Sequence, residues 1–270
     1  MRSDGGHDES ISARTFLGGS PMSVESVRAY DTWHEAIGAH DGSRDPLTLP
    51  WYRSAFTEIR DDLGGALLEV GCGRGEFAVW LAVAVPGLRI TGIDFSGAAI
   101  RLARKSAVAA AQPVHFIVGD AQALPFPDNS FDWIVSCECL EHIPRPRAMA
   151  TEMYRVLKPR GRFCLTTENY LNGMLLAWLR SWLSGKQFDS GSGVQPLEQF
   201  FLFFQVQKYL QDTGLVVDHT ASSHYQWLLL PRVDPSRLCT REFKSGWARQ
   251  AAKPFGRHFS FFGHKPGSTS

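Results

Sequence analysis

Short apolar runs alternate along the chain with stretches in which apolar residues recur every three or four positions. The runs at 66–70, 88–93, 114–118, 133–136 and 162–166 have the length and composition of strands buried on both faces. Between them, 76–85, 96–110 and 146–157 carry helical spacing, and two earlier helical stretches, 24–39 and 51–63, flank the break between Pro46 and Pro50. Strands alternating with helices at this period predict an α/β fold with a mostly parallel sheet covered on both faces. Ligands of such sheets bind at the carboxyl ends of the strands, near the point where the strand order reverses.

The pattern changes after Thr167. Residues 172–183 place Met174, Leu175, Trp178, Leu179 and Trp182 on one helical face, and 185–193 reads as a Gly/Ser link. A helix at 204–213 leads through Gly214 into a strand at 215–219, 222–258 reads as irregular, and 259–263 as a last strand. Residues 1–23 hold Gly, Ser and charge with little to bury, and read as a disordered leader to a single domain at 24–270. Within it, 60–170 is the expected ligand-binding core, with 171–213 and 220–258 as helical, aromatic lid or substrate insertions.

The 28 basic and 27 acidic side chains nearly cancel, so the total charge offers nucleic acid no general attraction, and a small-molecule partner is expected. Five irregularly spaced cysteines suit a reduced compartment, with the cytoplasm as default, rather than a disulfide framework. No apolar run has the length that spans a bilayer.

The strand at 66–70 runs straight into Gly71-Cys72-Gly73-Arg74-Gly75 and then a helix, which lets a ligand press against bare backbone. A dinucleotide fingerprint would carry its third glycine one residue later, where Glu76 stands. Glu69, two residues before the first glycine, would repel a pyrophosphate but attract a ligand carrying an ammonium and a sulfonium. Both features turn the reading from a nicotinamide dinucleotide toward S-adenosylmethionine. Asp94, ending the second strand, has the spacing of a carboxylate that accepts from a ribose diol, or of a simple helix cap.

The segments Leu68-Glu69-Val70-Gly71-Cys72-Gly73-Arg74-Gly75, Gly92-Ile93-Asp94-Phe95-Ser96, Gly119-Asp120-Ala121 and Ser130-Phe131-Asp132 occur in order, and Leu140-Glu141-His142-Ile143-Pro144 extends the series. Together they resemble the class I S-adenosylmethionine-dependent methyltransferases, in the small-molecule branch that contains the ubiquinone and menaquinone methyltransferases. The resemblance covers about 60–170 and implies a Rossmann-like sheet of seven strands. It implies that Glu69, Gly71, Gly73 and Gly75 surround the methionine part of the cofactor, that Asp94 holds the ribose, and that Asp120, beside Ala121, accepts from the adenine amino group. Phe95 is then a stacking wall for the adenine, or a core residue.

The segment Cys137-Glu138-Cys139-Leu140-Glu141-His142 leaves the carboxyl end of the fourth strand, which in this fold faces the reactive methyl. His142 is the candidate base for a hydroxyl acceptor, or a cap of its turn. On a helix Glu138, Glu141 and His142 would share one face as i, i+3 and i+4, a set that suits a divalent cation, although no fourth ligand stands out and metal-free relatives carry similar segments. A lone C-x-C lacks the second pair of a closed zinc site.

Aromatic residues make up 12% of the chain and concentrate after residue 170. Tyr30 and Trp33 of the first helix, with Trp178, Trp182, Phe203 and Trp227, would line an apolar chamber for a lipid, polyprenyl or polyketide-like acceptor, or form a satellite core. Arg180, Lys186, Arg232 and Arg237 flank this half and are compatible with peripheral contact to an anionic membrane. The leading expectation is methyl transfer to oxygen of a hydrophobic small molecule. Its alternatives are transfer to carbon of a quinol- or sterol-like ring, and a protein that binds the cofactor without turnover. The oligomeric state is not written in these features.

Overall fold

Apolar runs that can be buried on both faces become the centre of a seven-stranded sheet. The computed structural model describes residues 22–37, 45–169, 182, 183, 185, 197, 199, 201–225 and 238–267. Strands β1 (Ala66–Val70), β2 (Arg89–Asp94), β3 (His115–Val118), β4 (Phe131–Cys137) and β5 (Leu157–Glu168) are parallel. β6 (Val216–Tyr225) and β7 (Gly256–His264) complete the order β3-β2-β1-β4-β5-β7-β6, with β7 antiparallel to both neighbours. The order reverses between β1 and β4, which places the glycine loop after β1 at the switch point.

Side chains alternate across the sheet and create two cores. Leu67, Trp133, Val135, Cys164 and Phe262 pack with α2 (Pro50–Ile59), α3 (Glu76–Ala84) and α4 (Gly97–Ala109). Leu68, Val70, Ile134, Phe163 and Leu165 pack with α5 (Pro146–Val156) and α6 (Phe203–Asp212) on the other face. The helix α1 (Val24–Ile37) belongs to neither layer. It crosses the carboxyl edge of the sheet, where the Asp31 carboxylate accepts from Ser96 Oγ at 2.5 Å and from the Ala98 N–H at 3.0 Å. Those bonds cap the start of α4 with a residue from α1.

The second half differs from its sequence reading. Residues 220–225, expected in a lid, are part of β6, and 256–258 open β7, because the antiparallel edge pairs further than the apolar run suggests. The remainder of that stretch contains α7 (Gly246–Ala252) among short 3-10 turns. The expected helix at 172–183 falls outside the described residues except at Trp182 and Leu183, and nearly all of the expected leader does too. No helix among the described residues is long and apolar enough to cross a membrane. All five cysteines are buried and unbridged.

Phe203, expected to grip a substrate, sits instead at the start of α6 with its ring 5.1 Å from that of Phe259 and 5.2 Å from that of Phe261. Its aromatic neighbours belong to the core of the sheet, so its truncation is a packing loss. Phe203→Ala is expected to lower unfolding free energy by about 2 to 4 kcal/mol in urea titrations. A variant as stable as the parent would return Phe203 to the list of ligand contacts.

Candidate active site

Three strand ends and one loop converge at the switch point. Backbone N–H groups of Gly71 and Cys72 donate to the Ile93 carbonyl at 2.9 and 3.0 Å, which folds the loop over the end of β2. Gly71 is left-handed, at φ 74°, and an added Cβ would fall 2.3 Å from Cys139 Sγ, so the segment after β4 packs directly on this loop. Gly73, at φ 51°, has room around it: among the described residues the one atom within 4 Å of its missing Cβ is His34 Cε1 at 3.8 Å. A ligand could lie against its backbone there, under α1.

Glu69 lies at the inner wall of this cradle and is 2% exposed. Its Oε2 atom is buried with no hydrogen-bond partner among the described residues. Burial raises its carboxyl to about 8; the Ala78 backbone N–H pulls the other way, and the charges of Asp94 and Glu76 add to the rise. Asp94 rises to about 6 by burial, opposed by the N–H groups of Ser96 and Gly73, which its two oxygens each accept at 2.9 Å. It is therefore both the clamp of the glycine loop and an acceptor whose oxygens keep further lone pairs. Two carboxylates meet at a bare backbone loop, and one of them has an unsatisfied oxygen. That donor set fits a cationic ligand with a diol, as S-adenosylmethionine is, and opposes a pyrophosphate.

Further along the edge, Asp120 follows β3 and its two oxygens accept from Gln122 Nε2, each at 3.0 Å. Arg145 in turn donates to Gln122 Oε1 from its backbone and Nε, both at 3.1 Å, so the Asp120 carboxylate is held in one orientation. Ala121 is buried beside it. Phe95 is half-buried, belongs to neither core, and meets the ring edge of Tyr30 at 4.9 Å. The sequence-derived cofactor residues are thus brought to one edge, roofed by Tyr30 and His34.

The segment after β4 departs from expectation. Glu138 is left-handed, at φ 49°, and the only helical turn is a 3-10 turn over Leu140–His142, so Glu138, Glu141 and His142 do not share a helix face. Glu141 is 2% exposed and accepts from Thr167 Oγ1 at 2.8 Å. Burial, with Glu138 and Glu168 nearby, pushes its carboxyl well above the usual range, so it is a poor anionic ligand. His142 donates from Nδ1 to the Leu197 carbonyl at 2.7 Å, the same carbonyl that accepts from Tyr30 Oη at 2.8 Å. Its ring is an anchor for that chain segment, and burial lowers its pKa.

Glu138 pairs elsewhere. Its Oε2 meets His258 Nδ1 at 2.7 Å and its Oε1 accepts from Thr166 Oγ1 at 2.6 Å. With Glu168 these groups form a trio whose ligating atoms lie within 4.8 Å of one another, the one such group among the described residues. Arg257 Nη2 stands 3.2 Å from Glu168 Oε1, so a cation already sits against the trio. Sequence reading missed His258 because it lies one residue before the apolar run that marked the last strand. A signal exists in the polar alternation His258, Ser260, which points to a buried polar strip on one face.

Among the expected substrate residues, Tyr30 is 3% exposed and Trp33 stacks edgewise on His34 at 4.8 Å. Trp182 is 67% exposed, which removes it from any closed chamber in this structure. Trp178 and Trp227 lie outside the described residues, as do Arg180, Lys186, Arg232 and Arg237.

Glu69 gives a two-sided test. Its folded carboxyl, at about 8, lies above the ordinary 4.5, so the fold loses stability as pH rises from 4.5 through 8. Glu69→Gln is expected to melt at or above the parent's temperature at pH 9, and to bind S-adenosylmethionine at least about tenfold more weakly. A lower midpoint with unchanged affinity would make Glu69 a structural group only.

Residues 68–165 match a family model described as a methyltransferase domain. The chain is 35% identical over 124 residues to a demethylmenaquinone methyltransferase of Listeria monocytogenes serotype 4a, covering 45% of this chain and 52% of that one. It is 40% identical over 119 residues to a fatty-acid O-methyltransferase of Mycolicibacterium smegmatis, covering 44% and 42%. The chain thus spans about half the length of these curated relatives. Among solved structures the cyclase SpnF superposes with a TM-score of 0.64 at 20% identity, covering 94% of this chain and all of that one, a likeness of fold.

Proposed function

We propose that the chain, whose residues 68–165 match a family model described as a methyltransferase domain, transfers a methyl group from S-adenosylmethionine to an oxygen of a hydrophobic small molecule. The observation that carries the donor half of this reading is the buried Glu69 carboxyl at the end of β1, just before the glycine loop, with one oxygen that has no partner among the described residues. When bound, the cofactor supplies an electrophilic methyl on a positively charged sulfur. Around it, Asp94 and the glycine loop supply orientation, Asp120 supplies an acceptor of fixed direction, and α1 excludes water from above.

The acceptor half rests on chemistry and on kinship. The two curated relatives are named for a demethylated menaquinone and for fatty acids, both largely apolar molecules. The aromatic richness after residue 170 agrees with an acceptor of that kind. Transfer to a hydroxyl also needs a proton acceptor, and this edge holds imidazoles at His142 and His258. Transfer to ring carbon is the second reading, favoured by the menaquinone relative, and it too begins by deprotonating a ring hydroxyl.

The test is product analysis. Incubation with methyl-labelled S-adenosylmethionine and a panel of long-chain phenols, quinols and fatty acids is expected to give a label gain of one methyl on oxygen, read by mass spectrometry and fragmentation. Label on ring carbon would select the second reading. Cofactor binding with no labelled product from any acceptor class would contradict both.

A further inference from the structure

Besides His34 over the glycine loop, the edge of the sheet carries imidazoles at His142 and His258, and their hydrogen-bond partners separate these two. His142 spends Nδ1 on a backbone carbonyl, and its Nε2 lies 3.9 Å from Glu141 Oε1, beyond hydrogen-bond reach. His258 has its Nδ1 2.7 Å from a carboxylate, and its Nε2 is buried with no hydrogen-bond partner among the described residues. A carboxylate at Nδ1 fixes the proton there, leaves the Nε2 lone pair unspent and stabilises the imidazolium that forms when Nε2 takes a proton.

We infer that His258, oriented by Glu138, is the proton acceptor of the transfer, and that the acceptor molecule therefore arrives as a neutral hydroxyl compound of phenol or quinol type. This rests on the methyl-transfer reading above. A fatty-acid carboxylate is ionised at neutral pH and has no proton to give, so a built proton acceptor would be idle with it.

Two placements bring the pair to the edge that holds the ligand loop, and local contacts hold it there. Glu138 directly follows β4, and its neighbour Cys139 is the residue that packs on Gly71 of the ligand loop. β7 runs antiparallel, so His258 at its start lies opposite Glu168 at the carboxyl end of β5. Glu138 is held in the left-handed region, a conformation that costs a residue with a Cβ and persists where its surroundings enforce it. Here the Glu138 N–H donates to the Thr166 carbonyl at 3.1 Å while the Thr166 hydroxyl takes the carboxylate, and the Trp51 ring stands 5.0 Å from that of His258. Arg257 against Glu168 supplies the local positive charge that a metal would otherwise bring.

In the step, an oxygen lone pair of the acceptor forms the new O–C bond as the C–S bond breaks and its electron pair stays on sulfur. The hydroxyl proton moves to His258 Nε2. The Nδ1 proton remains shared with Glu138, and the imidazolium later returns its proton to solvent. Glu138 is a positioning residue in this account and His258 the catalytic one.

The chain alone is tested first. Nitrogen NMR of histidine-labelled protein is expected to show His258 protonated at Nδ1 and bare at Nε2, a state lost in Glu138→Gln. A proton on Nε2, or a bound transition metal in the purified protein, would overturn the assignment. Kinetics come second, with long-chain alkylphenols of rising acidity. His258→Gln and Glu138→Gln are expected to lower kcat at least about a hundredfold on the least acidic phenol with KM within about threefold, and the loss should shrink as the phenols grow more acidic. Calorimetric affinity for S-adenosylmethionine reports that each variant is folded. An unchanged kcat, or an equal loss across the series, would overturn the proposal. If the parent methylates no hydroxyl compound, the functional reading fails, while the NMR result still reports on the pair itself.

Discussion

A carboxylate taken out of water without a cation governs this molecule. Removing a charged group from solvent costs several kcal/mol unless it is paired, and Glu69 has an unpartnered oxygen in the unliganded chain. Burial raises that carboxyl to about 8, which favours its protonated form at neutral pH. The arrangement is unfavourable for folding and favourable for binding a positive ligand. Much of the surrounding structure keeps that position dry: the glycine loop folded on Ile93, the Asp94 clamp, and α1 tied down through Asp31.

The sheet divides the work between its two sides of the switch point. Glu69, Asp94 and Asp120 stand at or just beyond the carboxyl ends of β1, β2 and β3, a first cluster of acidic groups. Glu138 and Glu168 stand at the carboxyl ends of β4 and β5 and meet His258 near the start of the antiparallel β7, a second polar cluster with its own internal neutralisation. Cys139 against Gly71 joins the two, so a change in one loop is felt in the other. The small residue at 71 lets the second cluster approach the first.

The parallel half of the fold and the first cluster are legible in the sequence, because burial on both faces leaves an uninterrupted apolar run and the loop chemistry is contiguous. Leu67 and Leu68 face opposite cores, as an apolar pair within such a strand must. The second cluster is less legible because it depends on long-range pairing: His258 meets Glu138 across 120 positions, through the antiparallel register of β7. The expected ligand face of Glu138, Glu141 and His142 fails for a local reason, since a left-handed residue before a 3-10 turn destroys the periodicity on which the pattern relied. Phe203 misleads in the other direction: composition counts aromatic rings without showing that two strand residues, Phe259 and Phe261, already pack against it.

The claim that a neutralised Glu69 awaits a cationic ligand is most directly tested by proton counting during binding. Calorimetric titration of S-adenosylmethionine at pH 7, in buffers of different ionisation enthalpy, reads the number of protons exchanged. A carboxyl near 8 is mostly protonated at that pH, so pairing it with the ligand's charge predicts release of close to about one proton per ligand, falling toward zero at pH 9. Binding with no proton release at pH 7, or heat from a nicotinamide dinucleotide and none from S-adenosylmethionine, would contradict the account.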